Sequence, residues 1–130
     1  MKPSTRYGLA GIGGLALLSF VHWARGATGD LPEAANALLG VLPNVAAAIA
    51  IPFVLLGMVA DSKKSATPAE IRRWFHGLLL FSVMGLIGWE IIQRTSANLV
   101  YDNADIAATI AGAVLSAIIF AILSPSRASG

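Results

Sequence analysis

The sequence predicts an all-α membrane protein with four transmembrane helices, and two observations carry that reading. Residues of the AVILMFWYC class make up 56% of the 130-residue chain, while Asp, Glu, Lys and Arg supply only 12%. A soluble domain carries about a quarter charged residues. The apolar residues also gather into four stretches of roughly 17–23 residues, the length that a hydrocarbon core of about 30 Å demands. A mean hydropathy of +0.73 with a net charge of only +2 excludes a disordered chain. A mass of 13.5 kDa suits one domain over residues 1–130.

The first span is expected at 7–23. Its start, Gly8-Leu9-Ala10-Gly11-Ile12-Gly13-Gly14, is poor for a soluble helix but suits a membrane, where small residues let helices approach closely. Lys2, Arg6 and the Ala24-Arg25-Gly26 triplet also fit a cleaved signal peptide, but a retained span is favoured. The second span, 38–60, contains Pro43 and Pro52, which predict a kink or irregular turn. The third, 74–92, is announced by Thr67-Pro68-Ala69-Glu70, with Thr at the N-cap, Pro at N1 and Glu at N3. The fourth, 106–123, stops before Pro125.

Orientation follows from the basic residues. Lys2, Arg6, Lys63, Lys64, Arg72, Arg73 and Arg127 fall on one side, and only Arg25 and Arg94 on the other. Both termini are therefore expected in the cytoplasm, with the connections near 24–37 and 93–105 outside. In the fourth span, Ala104, Ala108, Gly112 and Ser116 form one small-residue row and Thr109, Ala113, Ala117 and Ala121 another. Gly77, Gly85 and Gly88 are expected to give the third helix a similar face.

Familiar soluble chemistries have no foothold. The chain has no Cys, and no HExxH, GxSxG, Walker or GxGxxG pattern occurs. A pI near 9.4 comes without a basic stripe, so no nucleic-acid partner is expected. No cofactor or metal site is expected either. His22 and His76, the latter beside Trp74, read as interfacial residues.

The unusual polar residues collect at the outer end. Glu90 is the most informative, because a carboxylate inside a span costs roughly 2–3 kcal/mol at the midplane and less near the interface. It is expected to face protein or water, with Gln93 and Arg94 one turn later on the same helical face. A plain interfacial pair of Glu90 with Arg94 is the competing explanation. Asp102 and Asp105 fit the N-cap and N3 positions of the fourth helix, so capping alone explains them as well. Asn44 either joins the cluster or satisfies backbone freed by Pro43. The candidate ligand-binding set is Glu90, Gln93, Asp102, Asp105, Asn44 and Thr109.

Over residues 90–112, Glu90-x2-Gln93, Tyr101-Asp102-x2-Asp105-Ile106 and Thr109-x2-Gly112 resemble the signature of the VanZ-like family of small bacterial membrane proteins. Asn44 and Ile51-Pro52-Phe53 resemble a further family segment more loosely. The chain departs from the pattern at Leu99, where the family has Arg, at Thr109, where it has Asn, and at Val54, where Gly is common. The resemblance implies a four-helix domain in the bacterial inner membrane. The family's founding member is linked to teicoplanin resistance, which implies a role at the cell envelope.

The expected function is recognition of a lipid or glycolipid head group by the outer polar cluster, with membrane lipids as partners. The alternative is an accessory subunit of a larger complex, or a homo-oligomer, packed through small-residue faces. A membrane enzyme using paired carboxylates lacks an identifiable nucleophile. A proton- or ion-coupled carrier would need Glu90 nearer the midplane.

Overall fold

Four helices follow one another in a computed structural model of the chain, which describes residues 1–27, 29–95 and 103–124. They are α1 (Pro3–Ala27), α2 (Glu33–Ser62), α3 (Pro68–Thr95) and α4 (Asn103–Leu123). No strand occurs among the described residues. Each helix is long and apolar enough to cross a membrane, so the chain is a multi-pass helical membrane protein. The helices overrun the apolar segments at most ends, because helical hydrogen bonding continues beyond the bilayer core.

α2 is the central helix and packs against the other three, while the backbones of α1 and α3 stay more than 8 Å apart among the described residues. In lipid, helices associate through close packing and hydrogen bonds, since burying an apolar side chain gains little over leaving it in acyl chains. The α1–α2 contact shows this directly. A Cβ on Gly11 would sit 2.7 Å from the Val54 backbone nitrogen, and one on Gly14 would sit 2.8 Å from that of Ala50. Gly57 faces the backbone of Gly8 in the same way. These glycines let two antiparallel backbones meet with almost nothing between them.

The α2–α4 contact uses one of the two small-residue rows. Ala108, Gly112 and Ser116 are buried with Phe120 below them, and a Cβ on Gly112 would lie 2.8 Å from the Val45 carbonyl oxygen. Ala104, at the top of that row, is exposed. The other row does not make the contact: beyond Thr109, Ala113 is half-buried and Ala117 and Ala121 are exposed. Ile110, Val114, Ile118 and Ile122 face outward, as lipid-facing residues should. Gly77, Gly85 and Gly88 likewise form no close-packed face, since a Cβ at any of them would meet nothing within 4 Å.

α2 is helical across both prolines, so no irregular turn interrupts it there. Pro52 has no N–H, so the Ala48 carbonyl four residues earlier loses its helical donor. Ser116 of α4 supplies a replacement, its hydroxyl donating to Ala48 O at 2.9 Å. A neighbouring hydroxyl is one of the ways a proline is accommodated within a membrane helix.

The start of α3 forms as the sequence indicates. The Glu70 amide donates to Thr67 Oγ1 at 3.2 Å, and the Thr67 amide donates to Glu70 Oε2 at 2.7 Å. This reciprocal pair satisfies two backbone N–H groups that a helix start leaves open.

The bundle's two ends differ in filling. Tyr7, Phe53, Phe75 and Phe120, one from each helix, pack together near the end that carries the N-terminus and the 63–67 loop. Phe75 and Phe120 stack at 4.1 Å with planes 4° apart, and Tyr7 packs on Phe120 at 5.8 Å. Tyr7 Oη also lies 3.4 Å from Ser124 Oγ. Toward the opposite end the interior is lined by Ala24, Ala46, Ala108 and Thr109, small residues that leave polar groups as the specific contacts.

Candidate functional site

Three of the six candidate residues meet at the α2–α4 contact. Asp105 is in the first turn of α4, and its backbone carbonyl accepts from Thr109 Oγ1 at 2.9 Å within the same helix. The same carbonyl accepts from Asn44 Nδ2 of α2 at 3.4 Å. Thr109 is fully buried, while Asn44 and Asp105 are half-buried. Asn44 therefore ties α2 to the opening of α4, and the backbone freed by Pro43 is not its partner in this bond.

Glu90 comes to the same level from α3. The Phe75–Phe120 stack sets the α3–α4 register. Fifteen residues beyond Phe75 lies Glu90, and fifteen before Phe120 lies Asp105. At 1.5 Å per residue the two antiparallel helices reach the same height above the stack.

Burial then separates Glu90 from its neighbours. Its side chain is only 3% exposed, and Oε2 is closed off from the surroundings. Trp89, Ile91 and Ile92 on either side are exposed. The carboxylate thus faces into the protein, as its insertion cost requires. Gln93 is half-buried and Arg94 exposed, so this face of α3 grades from enclosed to open over one turn. An enclosed carboxylate level with the Asn44–Asp105–Thr109 contact can accept hydrogen bonds from hydroxyl or amine donors.

Asp102, Tyr101 and Leu99 lie outside the described residues, as do Pro125 and Arg127. His22 is exposed on α1 beside Trp23, and His76 is exposed on α3, so neither enters the site. Among the described residues, no three His, Asp or Glu side chains gather in a way that would hold a metal ion.

The sequence did not reveal that Ser116 serves the carbonyl freed by Pro52. Its signal was present as a hydroxyl one turn beyond Gly112 in an apolar helix. It also left unread the four-aromatic cluster, since one aromatic per helix has no periodicity to mark it.

Comparison with protein-family models, with characterised proteins and with solved structures finds no match.

Proposed function

We propose that this chain is a small cell-envelope protein of the bacterial inner membrane whose outer-facing polar cluster recognises a lipid or glycolipid head group. The observation that carries this reading is the enclosed Glu90 carboxylate, 3% exposed near the end of a membrane-spanning helix, level with the Asn44–Asp105–Thr109 contact. Carboxylates and amides at that depth meet head-group hydroxyls and amines. A site built mainly of acidic residues favours hydroxyls and amines over a bare phosphate. The basic asymmetry supports an orientation with both termini in the cytoplasm and this end of the bundle outside. The resemblance of residues 90–112 to the VanZ-like signature supports the same placement at the envelope.

One observation favours a second reading, an accessory subunit or homo-oligomer. Gly77, Gly85 and Gly88 stand open along α3, beside exposed Leu80, Phe81 and Met84. Such a surface accommodates a helix from another protein.

Mass spectrometry of the protein purified in mild detergent separates the two. Head-group recognition predicts a stoichiometric lipid or glycolipid on the monomer. A stoichiometric second polypeptide, or a dimer without lipid, would favour the accessory reading.

A further inference from the structure

The opposite end of the bundle carries a cleft separate from the outer cluster. The start of α1 and the α2–α3 loop enclose a cleft of about 270 Å³, in which Lys2, Lys63 and Lys64 line one cavity with Asp61 as the single carboxylate. Residues 62 positions apart in sequence thus border one cleft. A basic excess read only as an orientation signal does not require that convergence.

The rest of the cleft fixes the kind of anion. Pro3, Ala66 and Ile71 form an apolar wall shared with an adjoining cleft. Arg72 lies on that second cleft, so a guanidinium borders the far side of the apolar wall. The Lys63 ammonium also sits 5.7 Å above the Trp74 ring. Tryptophan concentrates at the membrane–water interface, which puts Lys63 at head-group depth. Glu70, the nearby acid, is engaged with Thr67 at the start of α3.

We infer that this cleft binds the phosphate of an anionic phospholipid, with the lysines on the phosphate and the apolar wall against the glycerol and upper acyl chain. Basic groups beside a membrane span attract anionic lipids, each adding to the preference. A soluble anion would have no use for the Pro3–Ala66–Ile71 wall or for the interfacial depth.

The test uses the full chain in neutral detergent, where no membrane imposes orientation. Phosphatidylglycerol and zwitterionic phosphatidylcholine are titrated in parallel and read by native mass spectrometry. The wild type should prefer phosphatidylglycerol by about tenfold or more, and added salt should weaken only that lipid. Replacing Lys2, Lys63 and Lys64 together by Gln should remove most of the preference. Replacing all three by Arg should keep it, as should Arg25→Gln at the other end. The salt titration of the wild type and the Arg variant keep the test decisive if the Gln variant fails to fold. Equal binding of the two lipids, or a folded Gln variant with an unchanged preference, would overturn the proposal. Inorganic phosphate that displaces phosphatidylglycerol at comparable concentration would overturn the lipid as the source of the phosphate.

Discussion

Ser116 on α4 donates its hydroxyl to the Ala48 carbonyl on α2 at 2.9 Å, and that is the carbonyl Pro52 deprives of its helical hydrogen bond. The two residues join a local defect in one helix to a polar group on its neighbour. Proline is therefore tolerated in the middle of α2 because α4 lies where it does, and the same bond holds the α2–α4 face that positions Asn44 against Asp105.

This relationship predicts a coupled pair of substitutions. Ser116→Ala leaves a buried carbonyl without its side-chain donor, which should cost about 1–3 kcal/mol. In a Pro52→Ala background the restored backbone N–H satisfies Ala48, and Ser116→Ala should then cost clearly less. A double-mutant cycle by unfolding in detergent should give an interaction energy of at least about 0.5 kcal/mol. Simple additivity would separate Ser116 from Pro52.

The glycines divide into two classes with opposite expected effects. Gly11→Ala and Gly14→Ala put a methyl group within 3 Å of α2 backbone atoms and should destabilise by about 1–3 kcal/mol through forced separation of α1 and α2. Gly77→Ala and Gly85→Ala meet nothing and should be neutral or stabilising by up to about 1 kcal/mol through helix propensity. Thermal unfolding of the four single variants checks both classes. Equal losses at all four positions would mean that the α1–α2 approach is not what these residues serve.

The four helices and the reciprocal Thr67–Glu70 start of α3 were legible because membrane length and capping leave local marks. Which face of each helix turns inward was far less so. In lipid, the inside and the outside of the bundle are both apolar, so Ile110 and Ala108 carry no contrast that a period can detect. The two small rows of α4 were therefore equivalent in sequence, and only packing distinguishes Gly112 and Ser116 from Ala117 and Ala121. Gly77, Gly85 and Gly88 misled for the same reason, since a small residue permits contact without requiring it. At the site, Glu90 was legible because a charge within a span demands enclosure. The meeting of Asn44 with the Asp105 carbonyl was not, because helix pairing, and no local pattern, brings residues 61 positions apart together.

Orientation has its own test. With seven basic residues expected inside and two outside, a reporter fused after residue 130 should be active only if it functions in the cytoplasm, and one inserted near Asp30 only if it functions outside. The reverse pattern would put Glu90 and Asp105 at the inner leaflet and remove them from the envelope surface.

The most direct measurement is lipid retention by Glu90→Gln. The substitution keeps size and hydrogen-bonding capacity while removing the charge, so packing should hardly change. Native mass spectrometry of the wild type should show a bound lipid or glycolipid, and the variant, with thermal stability equal to or above that of the wild type, should lose it. Higher stability with lost binding is the pattern of a site that holds an unfavourable group for function. A folded Glu90→Gln protein that retains the same bound lipid would make Glu90 a structural residue and contradict head-group recognition at this site.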